Sequence, residues 1–211
     1  MEKLDRLPSY RLPIEELLNN VANATLVPGS IAMCALMGSI GASLVSMVGR
    51  LTSARDEHEP VKEEMLRVSN RAQHLSDQLL SMIDQEAQSY NRLSQAYSLP
   101  QNSGEEQRIR TDCIQVALKN YVQVPLLIAQ NALELLQLAE TVIRYGHTGL
   151  RPDAATAAMV TLSAIRGAAL SIRSSLAPIT DAEWVKSTQE KREKLLEQAA
   201  EIEADLAPLI S

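Results

Sequence analysis

Phenylalanine is missing from these 211 residues, tryptophan occurs once, and tyrosine five times. With so few rings, the core has to be filled by Leu, Ile, Val, Ala and seven Met, which suits helices packed closely on one another. Strand-like alternation is sparse while helix formers dominate, so the chain is expected to be all-α. Two cysteines are too few for a disulfide framework. Cys34 and Cys113 both fall in apolar helical patterns and read as two reduced core thiols of a cytoplasmic protein. His58, His74 and His147 lack metal-ligand spacing, so no metal site is expected. A formal charge of −6 and the want of a basic, aromatic-studded patch argue against nucleic acid as a partner. The polar opening MEKLDRLPSY has no apolar signal region. No P-loop, GxGxxG, HExxH or Ser-His-Asp arrangement occurs. No repeat, low-complexity tract or long linker divides residues 1–211, which read as a single-domain helical bundle.

What is present centres on Pro28–Arg55. Ile31–Val48 carries no charge, and Ala, Ser and Gly alternate there with Met, Leu, Ile and Val. A helix apolar on every side belongs in the middle of a bundle. Its small residues Gly38, Gly41, Ala42 and Gly49 would let neighbouring backbones or a flat ligand come close. The 18-residue run is near the lower limit for a membrane span, yet it lacks an aromatic belt and a basic flank, so a buried central helix is the reading and no membrane is expected. Pro28-Gly29-Ser30 makes the turn before it, with Ser30 as expected N-cap and exposed amides that favour an anion.

Around that helix the punctuation predicts five more. A short one runs from Pro13 to Ala24 with Ile14, Leu17, Leu18 and Val21 as its buried stripe. A long one spans Glu57–Tyr97. After Leu99-Pro100, Ser103 caps another that reaches Tyr145, kinked at Pro125, with Val124, Leu127, Ile128, Leu135, Leu138 and Val142 inward and Asn120 and Asn131 near that face. Gly146–Gly149 closes it. The next starts at Pro152-Asp153 and runs to Leu176, its charge-poor first half expected against the central helix. Asp181 caps a last amphipathic helix, Glu183–Leu206.

The long helix carries one misfit. Its apolar positions Val61, Met65, Val68, Ala72, Leu75, Leu79 and Met82 alternate in threes and fours. The next in register is Glu86, before Tyr90, Leu93 and Tyr97 resume the stripe, and Asp84 lies half a turn away. A core-stripe carboxylate either pairs with an arginine or snorkels, or it is an acid whose pKa burial raises so that it can move a proton. Arg166 and Arg173, seven apart on one face, would neutralise Glu86, bind an anionic ligand, or serve as structural ion pairs.

Taken together, VPGSIAMCALMGSIGASLVSMVGRLT, LLSMIDQEAQSYNRLSQAYSLP, VPLLIAQNALELLQLA, PDAATAAM and RGAALSIRSSL resemble the cyclodeaminase domain family, over about residues 10–207. That family includes the C-terminal half of formiminotransferase-cyclodeaminase and stand-alone methenyltetrahydrofolate cyclohydrolases. The resemblance implies a tetrahydrofolate derivative as substrate, no bound prosthetic group, and a homodimer. The reaction would close 5-formimino-tetrahydrofolate with loss of ammonia, or hydrolyse the methenyl ring to the 10-formyl compound. Both pass through a tetrahedral carbon and need a proton shuttle while the pterin is held flat. By resemblance, Asp84 is the general acid/base with Glu86 second, and Asp153 matches the family's acid after the third loop. Arg55, a candidate for the glutamate tail, matches the cation after the central helix.

Two departures bear on substrate. Where the family turn reads Pro-Gly-Gly-Gly-Ser, this chain has Pro28, Gly29, Ser30, Ile31 and Ala32. Where the family tends to carry two Asn near the end of the site, it has Ser171 and Ser175, whose shorter side chains reach less far toward a pterin edge. The alternatives are a divergent member without folate catalysis that binds another small ligand, and a helical interaction protein.

Overall fold

The computed structural model describes residues 8–23 and 27–210, and among these every regular element is helical. The elements are α1 (Ile14–Ala22), α2 (Ser30–Ser53), α3 (Lys62–Tyr97), α4 (Gly104–Tyr145), α5 (Arg151–Leu176) and α6 (Ala182–Ile210). Short 3-10 turns cover Ser9–Arg11, Asp56–Val61 and Thr148–Leu150. One hydrophobic cluster runs through α2 to α6.

Helix α2 is the axis, packed by α3, α4 and α5. Its small residues are needed for those approaches. A methyl added at Gly41 would run into the Thr161 hydroxyl of α5, and one at Gly49 would meet the Met65 carbonyl of α3 at 2.8 Å. Between α2 and α3, hydroxyls stand in for hydrocarbon: Ser39 meets Ser76 at 2.8 Å and Ser46 meets Ser69 at 3.1 Å, all four side chains buried. Seven residues forward on α2 are thus seven back on α3, so the helices are antiparallel. Helices α2, α4 and α5 have the length and composition to cross a bilayer, but over half of each apolar window is buried inside the bundle.

Several sequence expectations need correction. Ser30 is the first helical residue, not the cap; Gly29 takes the cap position and no side chain bonds there. The 57–97 helix begins as a 3-10 turn through Pro60, and regular α3 starts at Lys62. In α1 only Leu17 of the expected stripe is fully buried, with Ile14 74% and Leu18 50% exposed. The expected end of α1 at Ala24 lies outside the described residues. Leu127 is exposed. Cys113 is exposed, leaving Cys34 as the buried thiol, its pKa pushed up to about 11 by burial. The caps of α4 and α6 agree with expectation. Ser103 and Glu106 form a full capping box, and Asp181 Oδ1 accepts the Trp184 amide at 3.0 Å.

Candidate functional site

Ten residues beyond Ser76 on α3, the antiparallel register brings Glu86 level with Gly29 and Ser30 at the start of α2. The misfit of the heptad is a buried acid: Glu86 is 1% exposed. Its Oε2 has no hydrogen-bond partner among the described residues. Desolvation disfavours its charge and pushes the carboxyl from 4.5 up to about 7. An ion pair with arginine, the structural alternative for this stripe position, is not made by that oxygen. Arg166 instead pairs with Glu203 of α6, and Arg173 is exposed.

Two tyrosines flank the acid. Tyr90 follows Glu86 by one turn on α3, and its ring stands edge-on to Tyr121 of α4 at 6.3 Å. The Tyr121 phenol is pushed up to about 12, first by burial and then by the charges of Glu86 and Tyr90. Sequence reading passed over Tyr121; it continues the inward stripe of α4 beside Asn120, the signal that could have found it. Ser89, also buried, donates its hydroxyl to the Glu86 carbonyl at 2.8 Å.

Asp84 and Glu86 do not share a face. Residues two apart on a helix point to different faces. Asp84 is half-buried on the face covered by the Ser9–Arg11 turn, and its Oδ1 accepts the Ser9 amide at 2.9 Å. The desolvated carboxyl is that of Glu86, which had been placed second.

The remaining expected residues divide between two ends of the bundle. Ser30 and Ser171 meet at 3.5 Å through their hydroxyls, so the altered turn and the altered α5 position are neighbours. Pro28 and Gly29, half-buried, lead into that contact, and Ser175 lies one turn beyond it. Ile31 is buried in the core, so its side chain does not project into open space. Arg55 and Asp153 are elsewhere. Helix α2 is 24 residues long, about 36 Å at roughly 1.5 Å per residue. Arg55 follows its far end, where His147 binds Thr52 at 3.0 Å and α5 begins with Asp153 in its first turn. Within one chain, both lie about the length of α2 from Glu86 and Ser30. No group of three His, Cys, Asp or Glu side chains gathers among the described residues.

An all-α bundle with one desolvated, unpaired carboxyl beside the start of its central helix is the class that this site defines. The family model described as formiminotransferase-cyclodeaminase matches residues 13–194, and the chain belongs to that family. A methenyltetrahydrofolate cyclohydrolase of Methylorubrum extorquens is 31% identical over 88% of this chain and 89% of its own length. The formimidoyltransferase-cyclodeaminase of Rattus norvegicus is 28% identical over 86% of this chain, which spans 34% of that longer protein. The solved formiminotetrahydrofolate cyclodeaminase of Thermotoga maritima superposes with a TM-score of 0.86 over 95% of this chain and 96% of its own, at 22% identity, which shows the shared fold.

Proposed function

We propose that this protein is a folate one-carbon enzyme that hydrolyses 5,10-methenyl-tetrahydrofolate to 10-formyl-tetrahydrofolate, with Glu86 as the group that moves the proton. The observation that carries the reading is the Glu86 carboxyl, 1% exposed, with one oxygen unpartnered and a pKa of about 7. A general acid/base works best when its pKa lies near the operating pH. The relative named for this reaction is 31% identical, against 28% and 22% for those named for the cyclodeaminase, which favours the cyclohydrolase.

The chemistry divides into two proton transfers. As carboxylate, Glu86 takes a proton from the water that adds to the amidinium carbon between N5 and N10. As carboxylic acid, it returns that proton to N5 while the C–N5 bond breaks. The hydroxyl proton of the tetrahedral carbon leaves to solvent as the formyl C=O forms, so the net reaction consumes water and releases one proton. The pocket's low polarity strengthens the interaction of Glu86 with the cationic substrate. In the cyclodeaminase reading the same acid would protonate departing ammonia after N10 has attacked the formimino carbon. The reading also carries a homodimer, supported by apolar side chains left outside α2 and α5, among them Ile40, Met159 and Leu170.

Purified protein mixed with 5,10-methenyl-tetrahydrofolate should bleach the methenyl chromophore faster than buffer. Formation of that chromophore from the 5-formimino compound, with no hydrolysis of the methenyl one, would instead assign the cyclodeaminase. Inertness toward both would overturn the folate reading.

A further inference from the structure

The cation expected to hold the folate tail, Arg55, is at the far end of the bundle from Glu86, which leaves that end of the molecule without an assigned anchor. A groove of about 470 Å³ between α3 and α4 is lined by Arg92, Ala96, Leu99, Cys113, Val116 and Ala117, among others. A second, more polar cavity of about 300 Å³ adjoins it. Ser89, Arg92 and Asn120 line both, so the two are continuous at those residues. Ser89 of this junction is one turn from Glu86 on α3 and donates its hydroxyl to the Glu86 backbone carbonyl, and Asn120 precedes Tyr121 on α4.

Arg92 is exposed at this junction and makes no ion pair or hydrogen bond among the described residues, whereas Arg71, Arg144 and Arg166 each hold a glutamate. The Asn120 amide is likewise unengaged among them. The groove also carries one acid, Asp112, eight residues before Asn120 on α4. The groove thus offers apolar walls with one uncommitted guanidinium.

We propose that this groove holds the p-aminobenzoyl-glutamate tail of the substrate, with Arg92 as the anchor of its α-carboxylate and Asn120 beside the connecting amide. The inference rests on the folate reading above. The chemistry matches in three respects. A benzoyl ring suits walls of Ala, Leu and Val. A planar carboxylate suits a guanidinium fork. The axial span is comparable: N10 to the α-carboxylate is on the order of 10 Å in extended form, and Arg92 is about 9 Å from Glu86 along the α3 axis and about a third of a turn around it.

The test uses the full chain and two probes. On a substrate that lacks the glutamate, a methenyl-tetrahydropteroate, the wild type should lose about tenfold in kcat/KM, chiefly through KM. Arg92→Ala should show that loss on the complete substrate and then ignore whether the tail is present, while Arg92→Lys recovers part of it. A wild type indifferent to the tail, or an R92A protein with unchanged KM, overturns the inference while turnover leaves the folate reading standing. The second probe needs no turnover. Cys113 is exposed and lines the groove, so p-aminobenzoyl-glutamate should slow its alkylation about threefold or more in the wild type and not in R92A. That protection would support the subsite even in a protein inert toward both folates, and its absence would overturn it. A change of oligomeric state in R92A with KM unmoved would make the groove a seat for a second copy, which also overturns it.

Discussion

Replacing Glu86 by Gln removes a charge while keeping the side chain's shape, and its effect on stability should depend on pH in a specific way. The carboxyl has a pKa of about 7 in the fold against an ordinary value of 4.5. Below about pH 4.5 both folded and unfolded wild type hold the proton, and the acid exerts no pH-dependent penalty. Between 4.5 and 7 the unfolded chain gives up its proton and the folded chain keeps it, so the unfolded state binds fewer protons and stability falls as pH rises. Above 7 both are charged and the penalty levels off at about 3 kcal/mol. The glutamine variant has no such term. Denaturant unfolding of the two proteins at pH 4 and pH 8.5, compared as a difference so that other titrating groups cancel, should show E86Q gaining about 3 kcal/mol relative to wild type over that interval. Any fixed loss from burying an amide would appear equally at both pH values. A difference independent of pH would mean that Glu86 ionises as if in water, and the argument from burial would be wrong.

Three further outcomes follow from the packing. Gly49→Ala should destabilise by about 1–2 kcal/mol in chemical denaturation, because the new methyl meets the Met65 carbonyl at 2.8 Å and the Ser69 Cβ at 3.1 Å, a crowding that outweighs about 1 kcal/mol of helix propensity returned. A thiol-specific chromogenic reagent should titrate one thiol in the native protein, Cys113, and both in denaturant, since Cys34 is buried with its pKa pushed up to about 11; two fast native thiols would contradict that burial. Ser103→Ala removes the acceptor for the Glu106 amide and should reduce stability by about 1 kcal/mol, read from the denaturation midpoint at unchanged slope.

The helices were legible because their signals are local. Ser103 with Glu106 and Asp181 before Trp184 each name a helix end by chemistry within one turn, and the structure uses both; Gly146 ends α4 where expected, with an extended backbone rather than a left-handed one. The buried acid was legible too, since the stripe that puts Met82 inward continues onto Glu86 without a break. What the pattern cannot carry is distance between elements. Arg55 and Asp153 are close in sequence to turns that resemble site loops, yet the full length of α2 separates them from Glu86. Asp84 and Glu86 are two apart in the sequence and on different faces in space. Ile14, Leu18 and Cys113 fit apolar periodicity but have no neighbouring helix to cover them, because burial depends on the partner as well as on the pattern. Arg92 carried no signal at all. An arginine on a helix surface reads as solvated until α4 supplies the opposite wall of its groove.

The central claim is that the proton is carried by the desolvated acid rather than by its half-exposed neighbour. Turnover of 5,10-methenyl-tetrahydrofolate should be measured side by side for wild type, Glu86→Gln and Asp84→Asn, with circular dichroism confirming the fold of each. Loss of about 10²–10⁴ in kcat is expected for E86Q, together with absence of the rate increase near pH 7 that the wild type should show. D84N should keep activity within about tenfold of wild type, because its amide oxygen can still accept the Ser9 amide. The opposite order, with E86Q active and D84N dead, would contradict the account.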